Sequence, residues 1–184
     1  MDRKIKVGIA DDHQSLIEGV KMTINEWDEF EVSWFAKNGQ DVLQNLKNNV
    51  VDILLIDIKM PIMNGIETTK IIKKEYPNVK VVALSTFDDI EIISGAIDAG
   101  CNGFLLKVIE PDQLRLSLHT IMSGGNVFDN SVIEAYRKKE QALKTCNFTP
   151  RELKVLEYIC NGDSNKEIAS KLSLQVGTEK ILFL

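Results

Sequence analysis

The chain has 184 residues, is 44% hydrophobic and 27% charged, and carries a formal charge of -5, the composition of an ordinary globular protein with room for one mid-sized domain and a small one. No basic start is followed by an apolar run, and no apolar stretch reaches about 18 residues, which argues against secretion and membrane spanning. The charge is uneven: from Lys144 onward six basic residues face five acidic ones, a net of +1, so residues 1–143 carry -6. Cys101, Cys146 and Cys160 are odd in number and lack metal-type spacing, which suits free thiols in a reducing, cytoplasmic setting.

In chain order, Ile5 to Ala10 is a short apolar-rich strand that stops at Asp11-Asp12. A helix follows over Ser15 to Ile24, with Leu16, Val20 and Ile24 at helical spacing. Glu31 to Ala36 reads as a second strand, and Asp41 to Leu46 as a short amphipathic helix with Val42, Leu43 and Leu46 on one side. Asp52 to Asp57 is a third strand, whose four consecutive apolar residues, Ile53 to Ile56, predict burial on both faces. After the turn dipeptide Asn64-Gly65 comes a helix to Tyr76, with Ile71 and Ile72 inward, ended by Pro77. Val79 to Leu84 is a fourth strand stopping at Ser85-Thr86. Asp88 to Ala99 is helical with Gly100 as its C′ residue, Asn102 to Leu106 is a fifth strand stopping at Lys107, and Pro111 to Ser123 is a last helix.

Strands alternating with helices predict a five-stranded parallel sheet with helices on both faces, a doubly wound α/β fold. All strand carboxyl ends then share one edge, so Asp11, Asp12, Asp57, Ser85 and Lys107 converge there. Clustered carboxylates repel one another and call for a cation. A hard divalent ion such as Mg²⁺ suits carboxylates, a backbone carbonyl and water. Lys107 adds a positive charge, and Ser85 a hydroxyl donor. A carboxylate nucleophile in that company makes a phosphoryl-transfer site with an acyl phosphate on Asp57 as product. Taken alone, Asp57 could merely cap a turn and Asp11-Asp12 could be an N-cap pair. His13 and His119 lack metal-type spacing and read as structural or surface residues.

Four stretches together resemble the receiver domain of two-component response regulators: Ala10-Asp11-Asp12; Leu55 to Gly65, reading LIDIKMPIMNG; Ala83 to Asp89; and Gly103-Phe104-Leu105-Leu106-Lys107. The resemblance spans about residues 1–123 and implies a flavodoxin-like fold in which Asp57 takes phosphate from a sensor histidine kinase. It implies a Mg²⁺ site of Asp12, Asp57 and the carbonyl of Lys59, with Asp11 acting through water, and a switch pair of Ser85 and Phe104. Ser85 replaces the commoner Thr, Phe104 lacks a Tyr hydroxyl, and Val108 stands where many members have Pro. A phosphatase using Asp57 would want a second acid two residues on, where Lys59 stands, so the protein reads as a switch rather than an enzyme.

Residues 124–146 begin with Gly124-Gly125, are largely polar and read as a linker. In residues 147–184, Thr149-Pro150-Arg151-Glu152 and Ser164-Asn165-Lys166-Glu167 are capping boxes opening two short helices. Phe148 to Glu152 and Ser164 to Ala169 resemble the LuxR-type helix-turn-helix of the NarL class, which implies transcriptional control through DNA. The DNA-facing candidates are Lys166, Lys171, Thr178 and Lys180. Gln175 stands where a capping Ser or Thr is usual and Glu179 where an apolar residue is usual, and the recognition helix is expected to be incomplete at Leu184. The leading expectation is a phosphorylation-switched transcriptional regulator that dimerises when phosphorylated. The alternative is a truncated regulator that accepts phosphate or binds partners without binding DNA.

Overall fold

The computed structural model describes residues 3–86 and 90–128, together with positions 133, 134, 136, 137, 154, 158 and 171. The chain divides into two compact units, Met1–Lys138 and Lys139–Leu184.

The first unit runs β1 (Ile5–Ala10), α1 (Gln14–Asn25), β2 (Phe30–Ala36), α2 (Gly39–Asn48), β3 (Ile53–Asp57), α3 (Gly65–Glu75), β4 (Lys80–Ser85), α4 (Ile90–Asp98), β5 (Gly103–Leu106) and α5 (Pro111–Met122). The five strands pair in parallel in the order β2-β1-β3-β4-β5. This is the expected flavodoxin-like architecture. Successive side chains of β3 point to opposite faces, and all five are buried, which explains its unbroken apolar run. Leu54 and Ile56 enter one core with Val42, Leu46, Ile72, Ile93 and Ala96 from α2, α3 and α4. Ile53 and Leu55 enter the other with Ile17, Ile24, Leu114, Leu118 and Ile121 from α1 and α5.

Several boundaries move for local reasons. The α2 helix extends to Gly39–Asn48 because the Asn38 side chain accepts the Asp41 N–H and caps its amino end. Asn64 caps α3 in the same way through the Glu67 N–H. On α1 the expected Leu16, Val20 and Ile24 all pack on the core, and Ile17, adjacent to Leu16, is buried with Ile24 more deeply than the other two. In α3, Ile72 is buried and Ile71 is intermediate. Neither Asp11 nor Asp12 caps α1: the N-cap position is His13, which makes no side-chain capping bond. Gly100 and Gly124 take φ of +90° and +92° just past α4 and α5, the left-handed conformation that lets each helix end in a tight turn.

The chain beyond α5 turns back onto the sheet. Val127 forms a parallel bridge with Gly103, Phe104 N–H donates to the Val127 carbonyl at 2.9 Å, and Val127 N–H donates to the Asn102 carbonyl at 3.0 Å. Phe128 packs on the core that contains Phe104, and the Tyr136 hydroxyl bonds Asp98 Oδ1 at 2.9 Å.

In the second unit, Lys154, Tyr158 and Lys171 are helical. The two capping boxes, Cys146 and Cys160 fall outside the described residues, as do the first residues of the helix expected from Asp88. Among the described residues no helix is long and apolar enough to cross a membrane.

Candidate functional site

The sheet order reverses at β1, so the crevice between the carboxyl ends of β1 and β3 is the topological switch point where doubly wound folds bind ligands. Asp11 follows β1, Asp57 closes β3, Ser85 closes β4 and Lys107 follows β5. Lys107 Nζ stands 2.7 Å from Asp11 Oδ2 and 2.9 Å from Asp57 Oδ2, with all three side chains at most 7% exposed. The far-separated acids and lysine thus meet as expected. The Lys107 N–H donates to the Ser85 carbonyl at 2.8 Å, tying the ends of β4 and β5 together. Lys107 reaches both carboxylates without a cis peptide bond before Val108; no cis bond occurs among the described residues, and Val108 itself is exposed.

Asp57 is held by its own loop. Lys59 N–H donates to Asp57 Oδ1 at 3.2 Å, and Gly65 N–H donates to the Ile58 carbonyl at 3.0 Å. Gly65 packs so closely that a Cβ there would strike the Asp57 carbonyl oxygen. Between them lies Ile62, whose φ of +68° is a left-handed conformation unusual for a β-branched residue.

The electrostatics follow from one ammonium serving two buried carboxylates. Burial raises the Asp57 carboxyl above its ordinary pKa, and the Asp11 charge adds to this, against the opposing pull of Lys107. For Lys107 burial works toward a lower pKa, but hydrogen bonds and charge from Asp11 and Asp57 outweigh it and hold the ammonium above its ordinary value.

Asp12 is the more exposed acid, at 37%, and faces the crevice with His13. The His13 Nδ1 lies 2.9 Å from Asp12 Oδ1 and 3.1 Å from Asp11 Oδ1. Its backbone N–H also donates to Asp11 Oδ1 at 2.9 Å. His13 therefore lies against both acids, and its ring, 66% exposed, keeps the surface placement expected of it. Its two acid partners are its immediate predecessors, a spacing unlike the helical intervals of familiar metal motifs; the usable signal was the run Asp11-Asp12-His13 at a strand end. His119 is structural as expected, 2.9 Å from Glu29 and edge-on to Phe30.

The site suits a divalent cation. One ligand atom each from Asp11, Asp12, His13 and Asp57 fall within 4.8 Å of one another. Asp11 Oδ2 is buried and pairs with the Lys107 ammonium at 2.7 Å. Ser85 closes β4 and Phe104 is the second residue of β5, and both are buried. Of the DNA-facing candidates, Lys171 is exposed with its ammonium 4.9 Å from the Tyr158 ring centroid, while Lys166, Thr178 and Lys180 lie outside the described residues.

Two family models match the chain: Response regulator receiver domain over residues 7–119 and Bacterial regulatory proteins, luxR family, over residues 146–180. Transcriptional regulatory protein LnrK of Bacillus subtilis is 36% identical, across 96% of this chain and 86% of that protein. Transcriptional regulatory protein DegU of Brevibacillus brevis is 31% identical, across 97% and 84%. A structure of the Salmonella typhimurium RcsB response regulator superposes with a TM-score of 0.75 over 98% of this chain and 89% of that one; at 24% identity this speaks to the fold alone. With a receiver match covering most of its length and curated relatives of this identity, the chain belongs to the response regulators of two-component systems, a receiver domain followed by a LuxR-type helix-turn-helix.

Proposed function

We propose that Asp57 is the phosphoacceptor of this response regulator and that its phosphorylation by a sensor histidine kinase controls transcription through the LuxR-type segment. The observation that carries this reading is the pairing of Lys107 Nζ with both Asp11 and Asp57 at the carboxyl edge of the sheet. A carboxylate oxygen of Asp57 forms the new P–O bond as the P–N bond of a phosphohistidine breaks. The electron pair returns to the imidazole nitrogen, which takes up a proton. Lys59 N–H steadies the other Asp57 oxygen, and Lys107 can then pair with a phosphoryl oxygen. Asp12, Asp57 and the Lys59 carbonyl would hold Mg²⁺, with Asp11 acting through water, and that ion would supply positive charge beside the transferred group.

Ser85 and Phe104 form the switch in this reading: a hydroxyl for the phosphoryl group and a ring whose position follows it. The phosphoryl group must favour one arrangement over the other, which makes activation a population shift. Residues 1–123 would act as the receiver, 124–146 as the linker and 147–184 as the DNA-directed segment. Lys166, Lys171, Thr178 and Lys180 are the proposed DNA contacts. RcsB has been solved as dimers bound to DNA, and dimerisation on phosphorylation is proposed here by analogy. No catalytic turnover is assigned to the chain.

Intact-mass analysis after exposure to acetyl phosphate and Mg²⁺ tests the reading. Wild type should gain one phosphoryl group and shift toward dimer, and Asp57→Asn should do neither. Gel-shift binding before and after phosphorylation tests the DNA step. Phosphorylation that persists in Asp57→Asn would refute the assignment.

A further inference from the structure

We propose that the chain leaving α5 is a strap, fastened at Val127-Phe128 on β5 and at Tyr136 on the end of α4, and that the closed strap and a phosphoryl group on Asp57 strengthen one another through Phe104. The inference rests on the phosphoacceptor reading above and adds to it the element that carries the state of the switch toward the helix-turn-helix.

The first fastening lies where a sixth strand would pair with β5, the last strand of the sheet. Val127 bridges Gly103 in parallel, accepts the Phe104 N–H and donates to the Asn102 carbonyl. Adjacent side chains then part as they do along a strand: Val127 packs on the core beneath α1 and α5, and Phe128 on the opposite core, which contains Phe104. Gly103 permits the close approach, since a Cβ there would stand 2.9 Å from Ile121 Cδ1 and 3.1 Å from the Val127 carbonyl oxygen.

The second fastening is helical. Ile133, Glu134, Tyr136 and Arg137 have helical backbones; Ile133 and Tyr136 are half-buried while Glu134 and Arg137 are exposed, so an i, i+3 pair faces inward. The Tyr136 hydroxyl donates to Asp98 Oδ1 at 2.9 Å. Asp98 is the last residue of α4, where the helix's own terminal carbonyls disfavour an anion. The phenol donor answers that charge.

Coupling follows from what the strap touches. Phe104 is 3% exposed, and Phe128 packs on the core that holds its ring, so the closed strap favours the buried ring. Ala83 is the cross-strand partner of Phe104, and Ser85 lies two residues further along β4 on the same face, which makes Ser85 a diagonal neighbour of the ring. A Ser85 hydroxyl drawn to a phosphoryl group on Asp57 turns away from that neighbour and leaves the ring its buried place. Strap and phosphoryl group thus select the same arrangement, and two groups that select one state bind with positive, reciprocal coupling.

Calorimetric titration of the full chain with beryllofluoride, a phosphoryl mimic, in Mg²⁺ tests this for wild type, Tyr136→Phe, Asp98→Ala and the double variant. Each single change should weaken beryllofluoride roughly threefold to tenfold, the range of one hydrogen bond. The double variant should lose no more than the larger single loss, because both changes remove the same contact. In wild type, beryllofluoride should slow hydrogen exchange at the Val127 amide by a comparable factor. A fastening that is merely structural would lower the melting temperature without moving the affinity. Affinities equal to or tighter than that of wild type in all three variants, or Val127 exchange that is unchanged or faster with beryllofluoride, would overturn the inference. If wild type binds beryllofluoride and takes phosphate on Asp57 while the variants match it, this inference alone falls; if beryllofluoride does not bind wild type, the phosphoacceptor reading falls with it.

Discussion

Phe104 N–H donates to the carbonyl of Val127 at 2.9 Å, so the chain leaving α5 lies along the outer edge of β5 at the very residue proposed as the switch ring. That edge would otherwise present unpaired backbone groups. The first residues after the receiver's last helix are thus hydrogen-bonded to β5, and Phe128 packs into the core that contains Phe104. A displacement of Phe104 would be felt by the linker through its own backbone bond to Val127, beside the bond from Val127 to Asn102. Val127→Pro removes the N–H that reaches Asn102 and should cost about 1 kcal/mol. Hydrogen exchange at the Phe104 amide should speed up roughly fivefold to tenfold through easier local opening. Unchanged protection would mean that the bridge contributes nothing to the order of β5.

The Gly65 position has little tolerance, because a methyl there meets the backbone oxygen of Asp57, which cannot rotate aside. Gly65→Ala should destabilise the receiver by about 3 kcal/mol, the upper range for forced overpacking. It should also slow acetyl-phosphate labelling of Asp57 more than its loss of stability explains. Chemical denaturation and labelling rate at a temperature where the variant is folded check both parts.

One ammonium between two buried acids leaves an excess negative charge. Asp57→Asn keeps the shape and removes that excess, so it should raise the melting temperature by a few degrees in metal-free buffer at neutral pH. The sign follows from linkage: a carboxyl whose folded pKa is raised contributes stability at acidic pH, and loses it as pH climbs through the raised value. The advantage of Asn should therefore vanish below the ordinary carboxylate range and appear above it. Mg²⁺ should stabilise wild type, by about 2.7 kcal/mol at a hundredfold excess over its Kd, and Asp57→Asn less.

Removing the cation is the harsher change. Lys107→Met leaves Asp11 and Asp57 buried together without a counter-charge, and breaking a buried pair from one side costs about 3–5 kcal/mol. Added Mg²⁺ should restore part of that loss, since it answers the same carboxylates. A variant as stable as wild type in chelator would show that the acids do not rely on Lys107.

The sheet and the convergence of Asp11, Asp57 and Lys107 were legible because buried parallel strands carry continuous apolar runs and stop at chemistry-bearing residues. The inward face of α1 was legible through Leu16, Val20 and Ile24, but Ile17, adjacent to Leu16 and equally apolar, is buried more deeply than spacing alone could say. The early start of α2 depended on Asn38, whose capping role shows only when its partner Asp41 is known to begin a turn. The contacts of His13 were missed because they come from consecutive residues folding around a strand end, which no periodic spacing records. The Val127 bridge involves one residue pair and leaves no pattern.

Ile62 presents an opportunity for stabilisation. It holds φ at +68° with its side chain 73% exposed, so it bears left-handed strain and gives up little burial if truncated. That conformation costs an L residue about 1–2 kcal/mol, more for a branched side chain. Glycine removes the strain but adds chain entropy to the unfolded state worth about 0.5–1 kcal/mol. Ile62→Gly should accordingly gain a net ~0.5–1 kcal/mol, and Ile62→Asn, which tolerates the conformation with less entropy loss, should match or exceed it. Because the loop links Lys59 to Gly65, both variants should keep Asp57 labelling within about twofold, as expected of a surface change away from the reacting atoms. Thermal denaturation in parallel with the labelling assay decides the case, and a fall in melting temperature for both substitutions would show that the isoleucine side chain stabilises the loop by more than its backbone strain costs.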